Sequence, residues 1–157
     1  MILDDEDILI GESISSSIFE PIVNLILREV KLSEKDFEIL SKGDNNYKVK
    51  DRKELDIIID YFINSKMNTI SLNWLDVSNI TNMCRLFYGK SFKGDISKWN
   101  TSNVENMSYM FSDCKNLKEL DLSSFDTRNV EEMQCMFEGC DSLERIIVSD
   151  KFVLKNC

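Results

Sequence analysis

The chain has 157 residues, 43% of them hydrophobic, which suits one compact domain and excludes a disordered chain. It contains no histidine, so the commonest general base, the histidine-activated nucleophiles and the commonest zinc ligand are all missing. With 19 basic and 28 acidic residues, its net charge of -9 argues against binding to nucleic acid and favours a partner with a basic surface.

The cysteines and the N-terminus predict a soluble protein of the cytoplasm. The five cysteines form no CxxC pair, and an odd, scattered set is typical of thiols in a reducing compartment. Residues 1–12 hold five acids and no base, unlike a signal peptide, and the chain has no run of 18 apolar residues. The acidic run DDED at 4–7 is interpreted as a solvated tail, with docking on a basic groove as the alternative.

Residues 1–50 predict a small helical N-terminal region. Apolar residues crowd positions 18–30 into a first helix, with Ser17 as its cap and Pro21 in its first turn. A second helix follows Ser33, which has Asp36 three residues later as in a capping box, and it ends at Gly43. The segment YKVK that comes next is a predicted strand.

Three segments of the C-terminal half, 75–99, 99–125 and 125–148, align with one another. Their apolar residues recur at i, i+3, i+6 and i+7, which predicts a short helix, and then alternate as in a strand. Such helix-strand units must stack to bury their apolar faces. The matching positions are Asn79, Asn103 and Asn129, then Met83, Met107 and Met133, then Phe87, Phe111 and Phe137.

The predicted architecture is an α/β repeat, a short solenoid of helix-strand units occupying residues 51–157 behind the N-terminal region. A divergent helix at 51–66 would cap its first unit, with Ile57 and Tyr61 in the core positions. At the other end, Phe152 and Leu154 would close the core. We interpret the asparagines at the start of each unit as helix caps or Asx turns.

The motifs DVSNITNM, WNTSNVENMSYMF and FDTRNVEEMQCMF carry a resemblance to a known family. They resemble the BspA-like leucine-rich repeats of bacterial surface and mobile-element proteins, over about residues 67–148. The resemblance implies a leucine-rich-repeat solenoid and the binding of other macromolecules rather than catalysis.

Comparison of equivalent positions in the aligned segments separates core from surface. Trp74, Tyr88 and Tyr109 stand where other units have polar residues, so we expect exposed aromatic anchors for a partner. The alternative is that Trp74 and Tyr88 fill gaps beside the N-terminal cap. Trp99 matches Phe125 and is predicted to lie in the core.

The strand side is the second candidate surface. Its polar and acidic side chains would complement lysine and arginine of a partner. The residues assigned to it are Asn73, Asp95 and Asp121, with Glu119 and Glu144 nearby. Cys114 and Cys140 occupy equivalent positions and are interpreted as small core fillers, and Cys135 makes only a weak case for a metal site.

These features predict a non-enzymatic protein-protein interaction module that needs no cofactor and no metal. Its partner would be a basic, nucleic-acid-processing protein that it inhibits by occlusion, as a phage or mobile-element anti-CRISPR inhibitor of an effector nuclease would. The alternative is a fragment of a bacterial cell-surface adhesin-type repeat protein. We expect no direct contact with nucleic acid or membrane, and a monomer is favoured.

Overall fold

A computed structural model describes residues 16–65 and 69–155, which hold three helices and four short strands. The acidic run at 4–7 and Cys157 lie outside the described residues. The elements in chain order are α1 (Ser16–Leu27), α2 (Glu34–Ser41), β1 (Tyr47–Lys48), α3 (Arg52–Asn64), β2 (Leu75–Asp76), β3 (Glu119–Leu122) and β4 (Arg145–Val148).

The N-terminal helices follow the sequence prediction with one shift. Helix α1 begins at Ser16, so Ser17 is a helical residue rather than the cap and Pro21 lies inside the helix beyond its first turn. The capping box of α2 is confirmed, because the Ser33 hydroxyl accepts from the Asp36 amide at 3.2 Å and the Asp36 carboxylate accepts from the Ser33 amide at 2.8 Å.

Helix α3 also forms where the sequence predicts it. The carboxylate of Asp51 accepts from the Glu54 amide at 2.8 Å and satisfies a donor of the first turn. The helix buries Leu55, Ile58, Ile59 and Phe62, whereas Ile57 is 39% exposed. The expected equivalence between Ile57 and the core methionines is therefore wrong.

The predicted leucine-rich-repeat solenoid of helix-strand units is also wrong. The segments expected to be helices, 80–87, 104–111 and 130–137, form successive tight turns. Many of their amides donate to a neighbouring segment instead of to residue i−4, as in Met83 N to Asn106 O at 2.8 Å and Glu131 N to Glu105 O at 2.7 Å. Apolar residues at every third position fit such turns as well as a helix, because bonds of the type Leu86 N to Met83 O, at 3.2 Å, span three residues.

The strands form two small parallel sheets rather than one continuous sheet. Strand β1 pairs with β2, with Tyr47 beside Leu75, and β3 pairs with β4, with Leu120 beside Ile146. The alternating apolar residues of the second and third aligned segments do form strands, β3 and β4. The described fold is therefore three helices and two two-stranded sheets connected by stacked turns.

The turns stack in register and share one core. Isolated parallel bridges join Asn82 to Asn106 and Asn106 to Glu132. The rings of Phe87, Phe111 and Phe137 lie in a column with centroid distances of 5.4 and 5.8 Å and interplanar angles of 3° and 2°. This column continues the aromatic core through consecutive turns.

Two of the three asparagines at the matched positions link neighbouring turns, and none of the three caps a helix among the described residues. The amide nitrogens of Asn103 and Asn129 donate to the carbonyls of Ser78 and Ser102, each at 2.8 Å. The residue three positions earlier closes the local Asx turn, as where Asp126 accepts from an amide two residues ahead.

Trp74 is fully buried, so its expected exposure is wrong. Its ring packs beside Phe19, Tyr47 and Phe62, with centroid distances of 5.9, 6.4 and 6.3 Å. A side chain at Gly43 would collide with both Trp74 and Phe19, so glycine allows this close approach. The alternative that Trp74 fills the space beside the N-terminal helices is the arrangement seen, because those helices cover only this end of the turns.

Trp99 and the two aligned cysteines behave as the sequence indicates, but the C-terminal closure does not. Trp99 is buried, and Cys114 is buried while Cys140 packs partly buried against the core. Phe152 is partly buried against the core, whereas Leu154 is 64% exposed. Leu154 therefore does not close the core.

Candidate protein-interaction surface

A column of left-handed turn residues brings three side chains together on one face. Arg85, Tyr109 and Cys135 hold the equivalent position of three stacked turns, with φ angles of 57°, 57° and 55°. Each turn is fixed to the next by a backbone bond, from Arg85 N to Ser108 O and from Tyr109 N to Gln134 O, both at 3.0 Å. Left-handed backbone is uncommon outside glycine, so its recurrence here reflects a shared turn geometry.

The Arg85 guanidinium lies between two tyrosine rings. Its central carbon is 5.1 Å from the centroid of Tyr109 and 5.7 Å from that of Tyr88, both within the range of a cation-π contact. Tyr88 is 45% exposed, so its predicted exposure is confirmed, and Tyr109 is partly exposed. We call the four residues Arg85, Tyr88, Tyr109 and Cys135 the aromatic patch.

The phenol of Tyr109 also forms a hydrogen bond with a residue of the third turn. Its hydrogen bond with the Cys135 thiol, with a contribution from the negative charge of Glu138, raises the pKa of Tyr109 above its ordinary value. The phenol therefore stays neutral at physiological pH and presents a hydroxyl that can donate or accept.

An acidic ridge lies on the same turns. Glu105, Glu131 and Glu132 are exposed, and they come together because the amides of Glu131 and Glu132 donate to the Glu105 carbonyl at 2.7 and 3.2 Å. Within residues 16–65 and 69–155, none of these three carboxylates forms an ion pair. We call these three residues the acidic ridge.

The predicted strand-side surface is largely used by the fold itself. Asn73 is buried, so its predicted exposure is wrong, and its side-chain oxygen accepts from the Lys98 amide at 2.9 Å. Asp95 and Asp121 close Asx turns by accepting the amides of Ser97 and Ser123 at 2.8 and 2.9 Å.

Asp95, Glu119 and Glu144 are the exposed carboxylates of the predicted strand side. Partial burial opposes ionisation of Asp95, but hydrogen bonds from Ser97 and Asn73 and the charge of Lys98 hold its pKa below the usual value. Glu119 lies 3.9 Å from Arg145 in a loose ion pair, and Glu144 is exposed. The structure therefore does not gather the eight predicted site residues into one surface.

Cys114 and Cys140 belong to the core. The thiols of Cys114 and Cys140 donate to the carbonyls of Phe87 and Phe111, each at 3.0 Å. Burial raises the pKa of Cys114 to about 12 and also raises that of Cys140. In the described part of the chain, no group of three or more cysteines and carboxylates is placed to hold a metal ion.

The stacked turns that carry the patch and the ridge lie within a segment that matches a known protein family. Residues 58–156 match a family described as Mycoplasma protein of unknown function, DUF285. The chain belongs to the DUF285 family. This match overturns the expected membership of the BspA-like leucine-rich repeats. No curated protein and no solved structure matches the chain.

The DUF285 segment begins within α3 and runs through β4, so it contains both named surfaces, while α1 and α2 precede it. Among the described residues, no helix is both long enough and apolar enough to cross a membrane.

Tyr88 and Tyr109 are candidates from the sequence, whereas Arg85 and the acidic ridge are not among its predicted site residues. Arg85 and Tyr109 hold equivalent positions of the aligned segments, and equivalent positions of stacked segments become neighbours in space. The sequence spacing that aligned Arg85 with Tyr109 could therefore have predicted their contact. Glu105 and Glu131 occupy equivalent positions too, two residues after Asn103 and Asn129.

Proposed function

We propose that this DUF285 protein is a non-enzymatic binding module that docks on a basic protein surface through the aromatic patch and the acidic ridge. The observation that carries the proposal is the Arg85 guanidinium, which contacts both the exposed ring of Tyr88 and the partly exposed ring of Tyr109. Tyrosine and arginine are the residues most often found at the energetic centre of protein interfaces.

The patch is organised before any partner arrives. The backbone bonds between turns fix the positions of Arg85 and Tyr109, and the cation-π contacts and the Cys135 thiol hold the side chains. Fewer rotamers are then lost on binding, which spares part of the entropy cost of association.

The acidic ridge supplies the charge selectivity. Its three carboxylates, which form no ion pair with the residues that the structure describes, belong to a chain with a net charge of -9, so a basic surface is attracted before contact and an acidic one is repelled. Such attraction raises the association rate and weakens with salt.

The narrower form of the proposal is that the partner is a basic, nucleic-acid-processing protein whose nucleic-acid channel is occluded. A basic channel attracts an acidic ridge for the same electrostatic reason that it attracts phosphates. The cytoplasm is the compartment in which we place this interaction, and the thiols of Cys84, Cys114 and Cys140, which form no disulfide in the described part of the chain, suit its reducing conditions.

The test is quantitative capture from a cytoplasmic lysate of the native host, at low and at high salt. We expect one basic nucleic-acid-processing protein to be retained at low salt and released at high salt. Tyr109→Ala should weaken its retention by roughly tenfold, which corresponds to about 1 to 2 kcal/mol.

The matched control is Val30→Ala, which truncates an exposed apolar residue far from the patch in sequence. It should leave retention and the melting curve unchanged, and Tyr109→Ala should leave the melting curve nearly unchanged. Capture of no basic protein, or equal loss with both variants, would contradict the proposal. Binding to intact cells in place of lysate protein would favour the adhesin alternative.

A further inference from the structure

The Arg85 guanidinium contacts two aromatic rings but no acid. Its central carbon lies 5.1 Å from the ring centroid of Tyr109 and 5.7 Å from that of Tyr88. Among the described residues it forms no ion pair and no side-chain hydrogen bond, whereas Arg128 pairs with Asp126 at 2.8 Å. Arg85 therefore keeps its N–H donors available within the described chain, although the sequence contains 28 acidic residues.

The carboxylates around the first turn are engaged elsewhere or lie far along the stack. Asp56 and Asp60 are on α3, the helix that adjoins the first turn, and each already has a basic partner at 2.9 Å. Glu138 acts electrostatically on Tyr109, but it follows the third turn, whereas Arg85 lies in the first. In the described chain, then, no carboxylate accepts from Arg85.

The two ring contacts leave the donors of Arg85 usable. A guanidinium is planar and carries its N–H groups around its edge, so rings at its faces do not occupy them. The backbone beneath it is fixed, because the Arg85 amide donates to the Ser108 carbonyl at 3.0 Å and its carbonyl accepts from the Tyr88 amide at 3.1 Å. Such a held fork matches the two oxygens of a carboxylate and loses few rotamers when it binds one.

The charges on the same face favour a single carboxylate over a richer anion. Glu105 of the acidic ridge is four residues before Tyr109 in the second turn, so one partner surface spans the ridge and the patch. The ridge repels a nucleic acid, and it opposes a phosphate group more strongly than a carboxylate because a phosphate carries more charge. One acid surrounded by lysine or arginine meets both surfaces with the opposite charge.

We propose that Arg85 determines the specificity of the docking surface by binding one aspartate or glutamate side chain that stands among basic residues of the partner. This rests on the function proposed above and adds to it an acid at a defined place on a basic surface. Long-range charge attracts the partner, and the contact between Arg85 and the carboxylate fixes its register.

The probes for the test are short peptides of lysine and glycine that contain one glutamate, placed differently in each peptide. Each is compared with a peptide that has glutamine at the same place, and isothermal titration calorimetry measures the affinity for the full chain. Glutamine leaves the peptide more positive, so net charge alone makes it the tighter ligand of a chain with a net charge of -9. We expect the opposite order for at least one placement, by about threefold.

Two variants assign the preference to Arg85. Arg85→Lys keeps the positive charge but removes the planar fork, so the preference for glutamate should disappear. Arg28→Lys is the matched control, because Arg28 is exposed and has neither a carboxylate nor a ring partner among the described residues. It should keep the preference, and far-UV circular dichroism checks that both variants are folded.

NMR of the wild type gives a measurement that needs no variant to fold. The resonance of the Arg85 Nε–H group should shift with the preferred glutamate peptide and stay in place with its glutamine counterpart. Glutamine peptides that bind at least as tightly at every placement would overturn the proposal, while salt-sensitive binding of both sets would still support docking of a basic partner. A glutamate preference that persists in Arg85→Lys would contradict it as well. If neither set binds, the proposed function fails and this inference fails with it.

Discussion

The two tryptophans are both fully buried but differ in the hydrogen bonding of their indole nitrogens. The indole nitrogen of Trp99 donates to the Leu72 carbonyl at 2.9 Å. That of Trp74 has no hydrogen-bond partner in the described part of the chain. A buried donor without a partner has lost its hydrogen bonds to water without a replacement, which lowers the free energy of unfolding. A paired buried donor contributes to stability instead.

Phenylalanine at each position therefore has unequal effects. We expect Trp99→Phe to lower the free energy of unfolding by about 1 kcal/mol more than Trp74→Phe does, because both leave a smaller ring but only the first breaks a hydrogen bond. Urea unfolding followed by far-UV circular dichroism measures both. An equal loss in the two variants would show that the indole nitrogen of Trp74 is satisfied in solution.

Among the described residues, Asp126 is a carboxylate held strongly in its charged form. Arg128 donates to it from Nε at 2.9 Å and from Nη2 at 2.8 Å, and this hydrogen bonding lowers the pKa of Asp126 to about 2 despite the opposing effect of burial. Because the folded-state pKa lies below the unfolded value, the contribution to stability is complete above about pH 4. It is lost as the pH falls toward 2.

Arg128→Ala should therefore raise the pKa of Asp126 toward the ordinary value for aspartate. Carbon-detected NMR titration of the side-chain carboxyl gives this pKa directly. Arg145→Ala is the control, because Arg145 lies beside Glu119 and makes no contact with Asp126 in the described chain. An unchanged pKa in Arg128→Ala would mean that backbone hydrogen bonding, from the Arg128 amide, dominates.

At the scale of elements, the stacked turns depend on bonds that reach from one turn to the next. The side chain of Asn129 donates to the Ser102 carbonyl 27 residues away, and Asn103 does the same to Ser78. Asn79 occupies the matching position, but the described residues give its side chain no such bond. The sequence pattern is thus the same at three positions while the energetic role differs.

The asparagines allow a matched comparison. Asn129→Ala should lower the free energy of unfolding by about 1 kcal/mol, because it leaves a carbonyl without its donor, whereas Asn79→Ala should be nearly neutral. Both side chains are exposed, so loss of buried area does not confuse the result. Thermal and urea unfolding provide the measurement. If Asn79→Ala lowers the free energy of unfolding as much as Asn129→Ala does, the bonds between turns do not account for the stabilising effect of the asparagines.

At the scale of the whole molecule, the N-terminal helices and the DUF285 segment share one core. Trp74 packs against Phe19 of α1 and Tyr47 of β1, and β1 pairs with β2 across the same boundary. Because this contact is buried and apolar, separating the two parts would expose a large tryptophan.

The whole chain should therefore unfold in one cooperative transition. In Trp99→Phe the fluorescence of Trp74 reports the boundary, and in Trp74→Phe that of Trp99 reports the turns. In each variant, fluorescence and the far-UV helix signal should give coincident urea curves. Loss of the helix signal at a lower urea concentration than loss of tryptophan fluorescence would show that the helices unfold separately.

The sequence alone determined the features whose hydrogen bonds close within a few residues. The Ser33 and Asp36 capping box, helix α3 and the burial of Trp99 belong to this class, because propensity, capping and apolar alternation are local. The polar residues at equivalent positions of the aligned segments also predicted the exposure of Tyr88, whereas Tyr109 is only partly exposed.

The tertiary structure alone decided what depends on partners far along the chain. The i, i+3 pattern fits both a helix and a series of tight turns. The turns form because amides such as that of Met83 find an acceptor in a distant segment, the carbonyl of Asn106. In the same way Trp74 is buried only because helices from the N-terminal region reach it. Sequence specifies which groups need partners, but stacking across some 25 residues decides which partners they find, because only the folded chain brings those segments together.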